Sequence, residues 1–484
     1  MLRLRGRMTL LLALSLALVA LPTPARTQSA SSQYQVFLPL VLASPPDNPF
    51  GFDVRANIDD TVMEYVRMNP TPPKWTRAGD VLWSDIEPVR GGGYQWGVLA
   101  QVEANVARIR AAGIEPVLIV QRSPAWAQRV PGRLCSPPAA QYIDDFARFM
   151  GALAARYADG PLAVHYWEIW NEPDVSPTQV TDNLGFGCWA DASLPYYGGA
   201  YYGEVLKRVY PSIKAANPDA TVIGGALLYF WPDDTVSQSF LRGLLATGAG
   251  QAVDALSFHA YGEWGAGDVL ISKTNRIRQV LSDYGLAGKP LFATEIAATC
   301  NDDSPASCPP DFDSWKNRQA NYAARIYAEA MALDLKGAFW YTLAIDNPGF
   351  RFSQLIDAGS AGLTPRPAFY AFRNSARLLN GARYIGPPIV ELPADQIDKV
   401  QELVFQKPGS TLHVLWVQQT DFPEPYNLVV PPGARAACTD HLDRNPDDPD
   451  PMMRPQHYDC SDVNNDGIIP RAVNGLPQYV EIFR

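Results

Sequence analysis

The stretch His165-Tyr166-Trp167-Glu168-Ile169-Trp170-Asn171-Glu172-Pro173-Asp174 decides how the rest of the chain is read. It is an apolar and aromatic run, the kind that forms a buried strand, and it ends abruptly in Asn-Glu-Pro. A proline directly after Glu172 stops the strand there. In a barrel of parallel strands such an end faces the catalytic rim, so the Glu172 carboxyl is expected to point into a pocket. Asn171 beside it supplies an amide for a hydroxyl, and Trp167 and Trp170 supply flat apolar faces. A solvated loop glutamate is the competing reading.

A second apolar run, Pro290-Leu291-Phe292-Ala293-Thr294-Glu295-Ile296, ends in glutamate 123 residues downstream. From about residue 50 to 380, short apolar runs alternate with amphipathic segments, the pattern of a βα barrel with buried parallel strands. Strands are predicted at Phe50–Ala56, Trp75–Arg77, Pro116–Val120, Val164–Trp170, Thr221–Gly225, Ala255–His259, Pro290–Thr294 and Gly337–Thr342. Helices are expected between them, as over Gln141–Tyr157, Arg318–Leu335 and Ala368–Leu379, where apolar residues recur at three and four positions. After Asn380-Gly381 the character changes. Leu403–Phe405, Leu412–Val417, Asn427–Val430 and Gln478–Ile482 read as strands separated by Pro/Gly turns.

The expected organisation is a leader over 26–48, an α/β (β/α)8 TIM barrel over 49–382 and a small, sandwich-like C-terminal β domain over 383–484. Residues 1–25 read as a signal peptide: Arg3, Arg5 and Arg7 precede an apolar run from Thr9 to Leu21, and small residues follow to Ala25. That run is shorter than the roughly 18 residues of a membrane helix, so a secreted protein with no membrane contact after signal cleavage is expected. An uncleaved signal anchor is the alternative.

Two glutamates at the ends of different strands suit one reaction. Cleaving a glycosidic bond with retention needs one carboxyl to donate a proton and a second to attack the anomeric carbon, about 5–5.5 Å apart, against about 6.5–9.5 Å for inversion. Such chemistry calls for no metal and no organic cofactor.

Trp-Asn-Glu-Pro at the fourth strand end and Thr-Glu-Ile at the seventh resemble clan A of the glycoside hydrolases, and within it family 39 or family 5. The resemblance covers about residues 50–380. It implies Glu172 as acid/base, Glu295 as nucleophile and Asn171 on the sugar 2-hydroxyl. Arg77, in Trp75-Thr76-Arg77, resembles the arginine that holds the nucleophile ionised. His259 and Tyr261 resemble the sixth-strand pair that hydrogen-bonds the nucleophile and the sugar, and Trp340 resembles the eighth-strand tryptophan that floors the −1 subsite. Trp126, in Ser123-Pro124-Ala125-Trp126-Ala127, is assigned to sugar stacking, and Glu87, in Trp83-Ser84-Asp85-Ile86-Glu87, to structure. The β tail is similar to the accessory sandwich of family 39.

Each residue has a plainer reading. Arg77 fits a surface ion pair, His259 a satisfied buried histidine and Trp340 core packing. A non-catalytic carbohydrate-binding barrel and a transglycosylase would carry the same residues. The loops Ser176–Asp191 and Ala297–Trp315 are expected to wall the subsites, and the aromatic stretch Trp189 to Tyr202 either contacts sugar or packs.

The net charge of −10 argues against nucleic acid or an anionic membrane as partner, because both need clustered Lys and Arg, and a neutral carbohydrate fits better. Six cysteines are an even count, and export makes disulfides plausible. Cys300 with Cys308 and Cys438 with Cys460 are the expected local pairings; spacing does not fix the connectivity. Asp462-Val463-Asn464-Asn465-Asp466-Gly467 has the start of a calcium loop, but Val473 stands where the bidentate glutamate belongs, so a plain turn is the preferred reading.

Overall fold

Strands without a polar face must be covered on both sides, and a closed ring of parallel strands inside a ring of helices achieves this. A computed structural model describes residues 48–54, 58–68, 71–177, 185–191, 193–228, 235–263, 269–299, 312–344, 353–359, 362–390, 392, 396, 399–418 and 422–484. The predicted signal peptide and nearly all of the leader lie outside them, as do residues 178–184 of the loop 176–191 and residues 300–311 of the loop 297–315.

Eight strands close into a parallel barrel: β1 (Phe50–Asp53), β2 (Trp75–Leu82), β3 (Glu115–Gln121), β4 (Tyr166–Ile169), β5 (Thr221–Leu227), β6 (Ala255–Glu263), β7 (Leu291–Thr299) and β8 (Gly337–Trp340). Each coincides with a predicted run. The second is longer than expected because a bulge between Arg77 and Gly79 lets it continue to Leu82. Helices follow in turn at Asp60–Arg67, Ala100–Ala111, Ile143–Arg156, Gly199–Ala216, Thr235–Ala246, Val269–Asp283, Phe312–Ala332 and Pro367–Leu379.

The lower barrel is filled by Trp75, Val117, Ile223, Ala255, Phe292 and Phe339, with Tyr166 against them. Trp75 meets Tyr166 and Phe292 edge-on, at 4.8 and 5.3 Å between centroids. So much aromatic volume needs space elsewhere: a Cβ on Gly51 would lie 2.6 Å from the Phe339 ring. This packed floor pushes polar side chains to the opposite, C-terminal rim.

After the barrel comes a hairpin of β9 (Ile356–Gly359) and β10 (Gly362–Pro365), then the C-terminal strands. These are β11 (Arg383–Tyr384), β12 (Val400–Lys407), β13 (Ser410–Val417), β14 (Glu424–Val429), β15 (Arg435–Asp440), β16 (Gln456–Asp459), β17 (Ile468–Val473) and β18 (Gln478–Phe483). They form a six-stranded sheet in the order β11-β12-β13-β18-β15-β16 and a separate β14-β17 pair. Alternation along β13 shows why both faces are covered. Leu412, Val414 and Trp416 join the core shared with the barrel helices, while Leu415 and Val417 join a second core with Leu428 and Ile469 of the β14-β17 pair.

Disulfides join Cys438 to Cys460, as expected, and Cys135 to Cys188. The expected Cys300–Cys308 pairing lies outside the described residues. In the Asp462 loop the carboxylate accepts backbone amides of Gly433 and Gly467, each at 2.8 Å, and of Asp466 at 3.3 Å, which is how an aspartate holds a turn. Among the described residues no helix is long and apolar enough to cross a membrane.

Candidate functional site

Arg77 is the hub of the rim. Its side chain is 2% exposed and its guanidinium fans across three strands. Nε and Nη2 both reach Glu168 Oε2 at 2.9 Å, Nη2 donates to Asn171 Oδ1 at 3.0 Å, and Nη1 donates to Glu295 Oε1 and lies 3.5 Å from Asp53 Oδ2. Glu168 is completely buried, and its other oxygen accepts from Ser257 Oγ at 2.6 Å and Thr294 Oγ1 at 2.8 Å. Buried charge is costly unless paired and hydrogen-bonded, and this carboxylate is both. It fixes the guanidinium from below.

Glu295 receives a second donor from the phenol of Tyr261. Burial first, and then the adjacent Glu295 charge, push that phenol well above its ordinary value, so it remains a donor. His259 lies between the two end-of-strand glutamates: Nδ1 is 2.8 Å from Glu172 Oε1, and Nε2 is 3.5 Å from Glu295 Oε1. Its close partner is therefore Glu172 rather than the seventh-strand carboxylate. One side-chain oxygen or nitrogen from each of Glu172, His259 and Glu295 falls within 4.8 Å of the others, which brings the two carboxylates to one place on the rim. Such a trio has the donors for a cation, but the Glu295 oxygen beside His259 is the one that already carries the Arg77 guanidinium. A metal there would meet a fixed positive charge.

The Asn-Glu-Pro turn is strained and tightly held. Trp170 and Glu172 adopt φ of 75° and 48°, values that non-glycine residues rarely take and that cost about 1–3 kcal/mol each. Backbone bonds offset this: Trp170 N to Val120 O and Glu172 N to Ala226 O, both 2.9 Å. From above, the 187–190 segment pairs with the turn through Gly187 N to Asn171 O (3.0 Å), Cys188 N to Val175 O (2.8 Å) and Ala190 N to Pro173 O (3.1 Å). Cys188 is in turn bonded to Cys135 in the loop after β3. Trp189 and Tyr202 are buried, packed edge-on at 4.9 Å, so these two members of the aromatic stretch pack.

Six of the eight predicted site residues thus converge: Arg77, Asn171, Glu172, His259, Tyr261 and Glu295. Trp340 does not join them. Its register partner on β7 is Ile296, and both face outward into the core beneath the helices. The indole packs 6.0 Å from Tyr322 of the helix Phe312–Ala332 and donates to Ser353 O at 2.8 Å. The next residue, Tyr341, stands 5.9 Å edge-on to Tyr261 and is the eighth-strand aromatic beside the network. Trp126 packs on Trp83 and Tyr142 and donates to Glu87 O at 2.9 Å, sharing no hydrogen bond or ring contact with the network among the described residues. Glu87 has a structural place, accepting from Trp83 Nε1 at 2.9 Å. Glu168, Asp53 and Tyr341 belong to the site without having been singled out by sequence. The signal for the first was a charge in the middle of an apolar strand.

No family model and no curated protein matches the chain. Solved structures match its fold. A family 39 glycoside hydrolase from Bacteroides cellulosilyticus WH2 superposes with a TM-score of 0.63 at 18% identity, covering 91% of this chain and 81% of that one. A family 30 subfamily 8 xylanase from Clostridium acetobutylicum gives 0.61 at 13%, covering 90% and 96%. An α-L-arabinofuranosidase from Thermotoga maritima gives 0.60 at 12%, covering 91% and 97%. The chain thus shares its fold with these glycoside hydrolases.

Proposed function

We propose, from this shared architecture and the rim geometry, that the chain is an exported retaining glycoside hydrolase acting on oligo- or polysaccharides, with Glu172 as acid/base and Glu295 as nucleophile. The observation that carries the proposal is the approach of the two carboxylates, with Glu172, His259 and Glu295 offering atoms within 4.8 Å of one another. Retention needs carboxyl groups about 5–5.5 Å apart, and a spacing of 6.5–9.5 Å would be needed to hold the water of an inverting enzyme.

Glu295, facing a guanidinium and a phenolic donor, attacks the anomeric carbon as a carboxylate. The bond from that carbon to the leaving oxygen breaks, and the oxygen takes the Glu172 proton. Water then attacks the same carbon and displaces Glu295, while Glu172 takes a proton from the water. His259 orients the Glu172 carboxyl, and Asn171, whose Oδ1 is bonded to Arg77, presents its NH2 to the sugar. Two disulfides suit export to an oxidising compartment.

The test is Glu295→Ala assayed on aryl β-glycosides. Turnover should fall by several orders of magnitude, with azide restoring part of it and forming a glycosyl azide of inverted configuration. Undiminished hydrolysis by that variant would sink the assignment.

A further inference from the structure

A cavity of about 220 Å³ opens at the junction of the first barrel helix, the β9-β10 hairpin, the helix Pro367–Leu379 and the β15-β16 connection. None of its lining residues belongs to the rim network. Its walls are Tyr65, Met68, Phe369 and Tyr370 on the apolar side and Arg373, Asn445 and Asp447 on the polar side. Voids much larger than a water are few in a packed protein, and this one has room for several. It is smaller than the roughly 300–1,000 Å³ of sites for drug-sized ligands, which suits a single ring.

The polar wall is selective. Arg373 is 7% exposed and its Nη2 pairs with Asp447 Oδ2 at 2.5 Å, so the wall is charge-neutral as a unit. Its Nε–H is buried and meets no acceptor among the described residues, a state that is costly for a charged donor. Asp447 is 67% exposed at its side chain, which leaves carboxylate acceptor capacity toward solvent. Asn445 uses its Oδ1 to accept the Asp447 amide at 3.0 Å, so its NH2 is left to donate. Donor and acceptor groups in one neutral patch, in a cavity also lined by aromatic rings, match the alternating hydroxyls and apolar face of a pyranose. A charged ligand would have to break the Arg373–Asp447 pair. The wall is also preformed: Asn374 Nδ2 ties the β15-β16 connection to the helix through Leu442 O at 2.7 Å and Arg444 O at 3.1 Å.

We propose that this cavity is a second carbohydrate site, holding one neutral sugar residue of a polysaccharide outside the catalytic rim. With the catalytic reading it shares only the class of ligand. The site adds affinity for polymer and leaves cleavage of small glycosides unchanged.

The full chain is run by native affinity electrophoresis through gels containing xylan, mixed-linkage β-glucan or polygalacturonate, beside Tyr370→Ala and Asn445→Ala, with melting temperatures and aryl-glycosidase kinetics on the same samples. A neutral polysaccharide should retard the parent chain. Both variants should bind it roughly three- to tenfold more weakly, the scale of one lost ring or hydrogen-bond contact, with melting temperature and aryl-glycoside kcat/KM unchanged. Equal retardation of parent and variants, retardation by polygalacturonate alone, or no retardation in any gel overturns the site. Tyr370-dependent retardation by a protein that hydrolyses no glycoside upholds the site and overturns the catalytic reading. Hydrolysis with variant-independent retardation does the reverse.

Discussion

Arg77 serves three buried carboxylates, Asp53, Glu168 and Glu295, and this asymmetry gives it two separable jobs. Toward Glu168 it completes a buried ion pair; toward Glu295 it aims and charges the reacting group. Arg77→Met removes both at once and leaves carboxylates unpaired in the core, a loss of about 3–5 kcal/mol for a broken buried pair. We expect a melting temperature that falls steeply at pH 7 and recovers partly as the pH is lowered to protonate the orphaned acids. A melting curve for the variant that does not move toward the parent's at low pH would show that the pair is not what holds the rim. Residue identity at the site was legible where a glutamate ended an apolar run, as at Glu172 and Glu295. Side-chain direction was not. Register shifts accompany Arg77 and Glu295, with an extra residue on β2 between Arg77 and Gly79 and on β7 between Ala293 and Glu295. Each breaks the two-residue alternation from which direction would be inferred. On β8 the alternation is regular: Phe339 fills the barrel floor, Trp340 turns to the helices and Tyr341 is the inward-facing aromatic.

At the scale of elements, the β3 and β4 loops act as one piece, because the Cys135–Cys188 bond anchors the segment that clamps the Asn-Glu-Pro turn. Its 53-residue separation corresponds to roughly 4 kcal/mol in the chain-entropy account. Cys135→Ser/Cys188→Ser is expected to lower stability by about 2–4 kcal/mol and to reduce kcat on aryl glycosides more than it raises KM, since the clamp holds Glu172 and not the bound sugar. A rise in KM alone would place the effect elsewhere. In the β domain, His413 and Tyr426 hydrogen-bond Glu402 across β12, β13 and β14, at 2.5 and 2.6 Å. Burial pushes the Glu402 carboxyl up, but the two hydrogen bonds and the His413 charge outweigh it and hold the group below its ordinary 4.5. A carboxyl depressed on folding contributes stability that is present above the unfolded value and lost as pH falls through the folded one. The melting temperatures of Glu402→Gln and the parent should therefore differ at pH 7 and converge as the pH falls through the depressed folded value, below 4.5; a gap that does not narrow on acidification would exclude the linkage. Elements were legible in proportion to their burial. The barrel strands, covered on both faces, are nearly unbroken apolar runs. The strands at Arg435–Asp440, Gln456–Asp459 and Ile468–Val473 went unrecognised because edge and outer positions carry Arg, Asp, Gln and Pro.

Across the whole molecule, one buried cluster runs from β1 through the helices into Phe405, Leu412, Val414, Trp416 and Tyr479 of the C-terminal sheet. Tyr479 bridges the two parts: its buried hydroxyl donates to Ala324 O at 2.7 Å and lies 3.0 Å from Ser375 Oγ, on the last two barrel helices. Contiguous apolar burial and a shared polar bridge make the β domain a structural wall of the barrel, whose last two helices would otherwise expose that face. Barrel and tail are therefore expected to unfold together in a single thermal transition, with tryptophan fluorescence and far-UV dichroism superimposing. Tyr479→Phe keeps the ring and deletes only the hydroxyl, removing its bonds to Ala324 O and Ser375 Oγ at a cost of about 0.5–1.5 kcal/mol each. Such a variant should shift the whole transition to lower temperature without splitting it. Two resolved transitions, with only the lower one moved by Tyr479→Phe, would mean that the sheet is an independent module docked on the barrel, and that the cavity at their junction is set by docking and not by a common core.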